Sequence, residues 1–249
     1  MQITMIGHST VLIETKGQRI LTDPFFSGFG NLAYKRVKPP AKNREELAAV
    51  DLVLLSHSHF DHIDYRFLRS LPKDVPILAN RSMSLSALRA GRSFQKAEVW
   101  RRYVFGTVAV TPVPAVHLAP TNGFVIESEG KSVYFAADTF DRPFMEEIRW
   151  RFTLDVALMP VTTFLLPMTI GEQEAVRAVK VLEPKVLIPI HLGIQPRSPL
   201  LRTRQTPESF AQRLKQASSL TQVVILREGE TWTSEVSHDL IPPDLSNTA

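Results

Sequence analysis

The chain has 249 residues, 44% of them hydrophobic and 22% charged. That balance suits one globular domain whose core is large enough to need no covalent staples. There is no cysteine, which excludes disulfides, thiolate metal sites and thiol nucleophiles, so any metal must be held by His, Asp or Glu. The formal net charge of +4 is small and spread along the chain, which gives no nucleic-acid footprint. No apolar run reaches the length of a membrane span, and Met1-Gln2-Ile3-Thr4-Met5 lacks the basic-then-apolar pattern of a secretion signal. The expectation is a soluble, cytoplasmic, single-domain protein over 1–249.

In chain order, Ile3 to Thr15 alternates imperfectly, meets a turn at Lys16-Gly17-Gln18, and pairs as a hairpin with Arg19 to Thr22. Residues 24–44 are rich in Pro, Gly, Lys and Arg with no period, a long loop of the kind that carries function in a compact domain. Asp51 to Ser56 is a continuous apolar run, expected as a strand buried on both faces. Helices are predicted from Tyr65 to Leu71, with Asp64 as N-cap, and from Ser82 to Ala90, ended by Gly91, with a strand at Val75 to Ala79 between them. Strands follow within 97–116, at Gly123 to Glu127, Lys131 to Ala136, Asp155 to Val161 and Lys185 to Ile190. Ala175, Val176, Val179 and Leu182 share one face of a helix over Gly171 to Glu183, and Thr206-Pro207-Glu208 starts another that runs to about Ala217. Thr221 to Leu226 and Glu230 to Ser234 read as a final hairpin. The polar tail from 237 to 249 is expected to be mobile.

The chemistry is concentrated in one place. His57, His59, Asp61 and His62 fall within six residues, directly after a buried strand and before a helix, and they include three of the seven histidines. Residues two apart on extended backbone point the same way, so His57 and His59 converge, while Asp61 and His62 sit where the chain turns and face a second metal position. Neutral imidazoles beside a carboxylate are the donors that a hydrolytic metal site requires. Three further ligand types end apolar strands in the same manner: His117 after Val113 to Val116, Asp138 after Val133 to Ala137, and His191 after Val186 to Ile190. Alone, each would be read as a structural His or a turn Asp; together with the cluster they point to ligation.

In this order, with Asp23 in Leu21-Thr22-Asp23-Pro24, these residues resemble the motifs of the metallo-β-lactamase superfamily, from Gly7 to about Gly229. That resemblance implies an α/β fold, an αββα sandwich of two mixed sheets flanked by helices, with the site at one edge. It implies two divalent ions, zinc first and manganese or iron as alternatives. His57, His59 and His117 would hold one, Asp61, His62 and His191 the other, and Asp138 would bridge them. Asp23 would fix a ligand imidazole through its other ring nitrogen. Gly7-His8-Ser9, Asp61-His62-Ile63-Asp64 and Met168-Thr169-Ile170-Gly171 are similar to the branch containing ascorbate-6-phosphate lactonase and the N-acyl-phosphatidylethanolamine phospholipase D-like enzymes. The chain departs from glyoxalase II-like thioester hydrolases at Ile63-Asp64, and the interval 139–190 has no room for the extra domain of the nucleic-acid-processing members.

The reading is a hydrolase in which a metal-bridging hydroxide attacks a carbonyl carbon or a phosphorus atom. Asp61 would orient the nucleophile, and His8 would contact substrate or help a leaving group, with a structural histidine in the hairpin as the plain alternative. Arg36 in the early loop and Arg197, Arg202 and Arg204 after His191 are candidates for binding a phosphate by bidentate hydrogen bonds, as is Arg142. Solvated surface arginines are the plain alternative. The expected partner is a small molecule bearing a phosphate, cleaved as a lactone or phosphodiester; no nucleic acid is expected, and a homo-oligomer is compatible. The rival readings are a nuclease and a non-catalytic metal-binding module.

Overall fold

Gln2–Gly7 (β1), Thr10–Thr15 (β2) and Gln18–Thr22 (β3) form an antiparallel meander in the computed structural model, which describes residues 1–28 and 30–234. The expected single strand from Ile3 to Thr15 is therefore folded in two. Gly7 at φ 146° and His8 at φ 62° make the reversal, a backbone that an alternation pattern does not reveal. The remaining strands are β4 (Tyr34–Arg36), β5 (Leu52–Leu55), β6 (Ile77–Asn80), β7 (Gln95–Ala97), β8 (Tyr103–Phe105), β9 (Val108–Pro114), β10 (Asn122–Ser128), β11 (Lys131–Phe135), β12 (Val156–Pro160), β13 (Val186–Ile190), β14 (Ile194–Pro196), β15 (Gln222–Val223) and β16 (Thr231–Thr233). One sheet has the order β16-β1-β2-β3-β5-β6-β7 and the other β15-β13-β12-β11-β10-β9-β8. The expected C-terminal hairpin does not form: β15 pairs with β13 in one sheet and β16 with β1 in the other, so the chain crosses between the sheets there. The tail expected to be mobile lies outside the described residues.

Among the described residues, five α-helices cover the outer faces: α1 (Tyr65–Ser70), α2 (Ser84–Ala90), α3 (Phe144–Arg151), α4 (Glu172–Leu182) and α5 (Pro207–Gln216). The predicted caps are in place. Asp64 accepts from Phe67 N–H, Gly91 ends α2 in the left-handed conformation, and Thr206 accepts from Ser209 N–H with Pro207 at the first helical position. Helix α3 was not predicted. Only Met145 and Ile148 are buried on it and Trp150 is exposed, so its sequence carries little helical period.

Three apolar layers follow from strand alternation. Leu52, Leu54, Ile13 and Ile20 of the first sheet pack between the sheets against Phe124, Ile126, Phe135 and Leu158 of the second. Val53, Leu55 and Ile77 face outward onto Phe67 and Leu68 of α1. Tyr134, Ala157 and Leu187 face the other way onto Val179, Leu182, Phe210 and Leu214 of α4 and α5. The result is the αββα sandwich, with both sheets mixed. Each fully buried aliphatic side chain contributes about 1.5–3 kcal/mol of transfer free energy, so these layers hold the fold without help from the site.

Strand direction places the site. β1 and β3 each run antiparallel to β2, and β3 pairs in parallel with β5, so β1, β3 and β5 point the same way. β9 and β11 each run antiparallel to β10, and β11, β12 and β13 are parallel. His8, Asp23 and His57 follow the carboxyl ends of the first three, and His117, Asp138 and His191 follow the carboxyl ends of β9, β11 and β13. Polar groups collect beyond strand carboxyl ends because the sheet positions them while leaving their side chains free of the core.

Candidate metal centre

The strand ends bring the predicted ligands into two sets. Donor atoms of His57, His59, His117 and Asp138 all lie within 4.8 Å of one another, as do those of His8, Asp61, His62 and His191. Asp138 stands between the sets. Its Oδ1 is 3.3 Å from His62 Nε2, and its Oδ2 is 3.2 Å from His191 Nε2, 3.6 Å from His117 Nε2 and 4.0 Å from His57 Nε2. The Asp138 peptide is aimed by Ala137, at φ 54°. The His117 loop is tied to it, since Val116 N–H donates to Thr139 Oγ1 and Phe140 N–H to Val116 O. His8, Asp23, Ala137 and His191 all have positive φ although none is glycine, a concentration of backbone strain that marks functional sites.

Behind the histidines runs a hydrogen-bond relay. Asp23, fully buried, accepts from Ser56 N–H at 2.7 Å, from the Ser56 hydroxyl at 2.5 Å and from His62 Nδ1 at 2.7 Å. With its proton committed to Asp23, the Ser56 oxygen accepts from His57 Nδ1 at 2.9 Å. Both imidazoles are thereby held through Nδ1, with Nε2 facing inward. Those atoms, His57 Nε2 and His62 Nε2, are buried without a hydrogen-bond partner, as is Asp138 Oδ1. Unpaired buried polar atoms are costly, so three of them converging on one point is what a cation site requires. Ser56 was missed as a functional residue from sequence; its one signal is its place between a buried strand and the histidine run.

The electrostatics agree. Burial lowers His57 well below its ordinary pKa and His117 to about 4, leaving both neutral as ligands must be. Burial pushes the Asp61 carboxyl up, but His62, His8 and His191 outweigh it and hold Asp61 ionised. Burial also opposes charge on His62, yet Asp138, Asp61 and Asp23 raise it well above the ordinary value. The carboxylates thus create a field that favours positive charge where His62 Nε2 points, which suits a divalent ion. The His and carboxylate donor set, free of thiolate, fits zinc, manganese or iron.

His8 is buried and does not line the cavity beside the ligands. Its Nδ1 accepts from Gly193 N–H at 3.1 Å, which fixes the proton of the neutral ring on Nε2; that atom is 3.1 Å from Asp61 Oδ2 and donates to it. Its carbonyl also accepts from His191 N–H. A side chain at Gly193 would place its Cβ 2.6 Å from His8 Cβ, so only glycine allows the close approach. His8 therefore buttresses Asp61 from behind, and burial together with His191 lowers its pKa to about 3.

The two basic loops meet as the antiparallel pair β4 and β14, and none of their arginines lines the cavity at the ligands. Arg36 is buried. It donates to the carbonyls of Phe25, Ser27 and Lys38, and its guanidinium lies 4.3 Å from the centre of the Phe25 ring. Burial lowers its pKa to about 10. Arg197 donates to Asn31 O, Arg142 to Asp141 O, and Arg204 is exposed. Arg202 lines an adjoining cavity that shares His191, Phe164 and Ile194 with the one at the ligands, and its donors meet Pro196 O and Arg197 O. The cavity at the ligands, of about 210 Å³, is lined by Asn31, Tyr34, His59, Phe60, Asp61, Asp138, Phe164, Met168, His191 and Ile194, with no Lys or Arg.

Comparison with known proteins matches this arrangement. Residues 2–191 match the β-lactamase superfamily domain. A metal-dependent hydrolase from Pelotomaculum thermopropionicum is 30% identical, over 93% of this chain and 99% of its own. Another, from Methanopyrus kandleri, is 30% identical over the same shares. Among solved structures, a metallo hydrolase from Ignicoccus hospitalis superimposes with a TM-score of 0.77 at 25% identity, covering 94% of this chain and 98% of its own. Isothiocyanate hydrolase from Delia radicum gut bacteria shares the fold, with a TM-score of 0.75 at 20% identity over 94% and 99%. Among the described residues, no helix is long and apolar enough to cross a membrane. The chain belongs to the β-lactamase superfamily, as one of its metal-dependent hydrolases.

Proposed function

We propose that the enzyme uses two divalent ions, zinc in the first instance, to open an ester, lactone or phosphodiester bond in a small molecule. His57, His59 and His117 would hold one ion, Asp61, His62 and His191 the other, and Asp138 would reach both. The observation that carries this reading is Asp138, whose two oxygens lie 3.2–4.0 Å from four inward-facing imidazoles drawn from both sets. Two such ions, when bound, supply a water that ionises near neutral pH and offset the negative charge that develops on the scissile group.

The protein's own residues supply the rest. Asp61 lines the cavity while one of its oxygens is taken by His8, so its remaining lone pairs are directed at the ligands and at an attacking water. His8 is a positioning residue in this scheme, not a contact for substrate. Asp23 and Ser56 hold His62 and His57 in the tautomer that binds a cation. Phe60, Phe164, Met168 and Ile194 exclude bulk water from one side, which strengthens each electrostatic contact within. The cavity is below the roughly 300–1,000 Å³ of drug-sized sites, which favours a small scissile group over a nucleic-acid strand.

The test is a panel of lactones, carboxylic esters, phosphodiesters and phospholipids, assayed before and after chelation. Turnover of at least one class, lost with a chelator and restored by zinc, manganese or iron(II), is expected. Turnover that survives complete metal removal would overturn the reading.

A further inference from the structure

We propose that the substrate carries a neutral, apolar group beside its scissile bond, a ring or short hydrocarbon chain seated against Phe60, Phe164, Met168 and Ile194. This rests on the metal-hydrolase reading above and names its substrate class. It replaces the expectation of a second anionic group.

Three observations carry it. The first is the wall itself: besides the ligands, the cavity is lined by Tyr34, Phe60, Phe164, Met168, Ile194 and Asn31. A second phosphate or carboxylate seated against this wall, away from the ligands, would lose its hydration and find no Lys or Arg among the described lining residues. The second is the use of the nearby arginines. Arg36 holds the Phe25 ring from one side, and Phe25 meets Phe60 edge to face, with centroids 6.1 Å apart. The buried cation of the early loop is thus a support for the aromatic wall. Arg197 and Arg202 donate to backbone carbonyls, where they hold the loops together. The third is the pairing of Tyr34 with Phe164, whose rings pack with centroids 5.5 Å apart, while Leu32, Leu165 and Leu166, their near neighbours in sequence, are all more than 60% exposed. The cavity's volume of about 210 Å³ admits a ring or a short chain.

The experiment uses three hydroxamic acids, which share one metal-chelating head and differ in their tails: acetohydroxamic acid, benzohydroxamic acid and a hydroxamic acid with a short phosphonate tail. Each is titrated calorimetrically into zinc-reconstituted protein of known metal content. Benzohydroxamic acid is expected to bind roughly tenfold or more tighter than acetohydroxamic acid, the scale of discrimination an apolar pocket provides, and the phosphonate no tighter than acetohydroxamic acid. Phe164→Ala should remove most of the phenyl preference at unchanged metal content, and Phe164→Leu should retain much of it. Equal binding of the phenyl and methyl compounds, or tightest binding of the phosphonate, would overturn the inference while leaving the metal site standing. A protein that holds no zinc after reconstitution would overturn both this inference and the reading beneath it.

Discussion

Asp23 and Arg36 flank the same loop and are both buried charges, yet they serve opposite parts of the site. Asp23 holds the imidazoles of His62 and, through Ser56, His57, so it acts on the metal-facing floor. Arg36 holds three carbonyls and the face of Phe25, so it acts on the aromatic wall. The floor is built on strand ends, where sheet register fixes each side chain. The wall is built on loops, where position depends on contacts made far away in sequence. Changes in the floor should therefore alter chemistry and metal affinity, and changes in the wall should alter stability and substrate preference.

The sharpest way to break this contrast is Asp138→Ala. The proposed floor predicts a loss of about a thousandfold or more in kcat/KM, together with loss of bound metal. The metal-free variant should melt within a few degrees of the metal-free wild type, because the three apolar layers do not include the site. Wild-type activity with full metal content would place the bridge elsewhere.

Next in size is Asp23→Asn. Asparagine tolerates the positive φ of 33° at this position, but its single amide oxygen cannot replace both carboxylate oxygens, of which Oδ1 accepts from Ser56 N–H and Oδ2 from the Ser56 hydroxyl and His62 Nδ1. Metal affinity, measured by competition with a chromophoric chelator, should fall about 10–100-fold. An unchanged affinity would mean that the relay does not orient the ligands.

A smaller effect, about tenfold in metal affinity, is expected for His8→Ala, at the lower end of what outer partners contribute. Gly193→Ala should lose at least as much, because its Cβ would meet the Cβ, Cα and N of His8 and push the ring off Asp61. An unchanged affinity in both variants would show that Asp61 needs no support from His8.

The mildest outcomes belong to the wall. Arg197→Ala and Arg204→Ala should change kcat/KM less than about twofold, as for ordinary surface substitutions. Arg36→Ala should lower stability by about 2 kcal/mol or more through its lost charge-assisted hydrogen bonds, seen as a fall in Tm. A rise in KM for a phosphorylated substrate in the Arg197 or Arg204 variant, with no change for an uncharged one, would restore phosphate recognition.

The floor was legible in the sequence because its signals are local. A run such as His57-Ser58-His59-Phe60-Asp61-His62 names donor types directly, and Asp138 and His191 sit immediately beyond apolar strands whose burial can be read from composition. His8 is less legible, because its partner Gly193 lies far away in sequence and only the fold brings the two within hydrogen-bond distance. The arginines are illegible for a related reason: a guanidinium is long enough to turn onto backbone carbonyls, as those of Arg197 and Arg202 do, and nothing in the sequence fixes its direction. The reversal at Gly7-His8 and the separation of β15 from β16 escaped notice because both depend on pairing between distant strands.

The central claim is that the strand ends form one nest for two divalent ions, shared through Asp138. Elemental analysis of wild-type and Asp138→Ala protein, each reconstituted in parallel with zinc, manganese and iron(II) and then freed of loose metal, tests it most directly. The account predicts close to two ions per wild-type chain with at least one of the three metals and one or none in the variant. Absence of bound metal from the wild-type chain under all three conditions would contradict it.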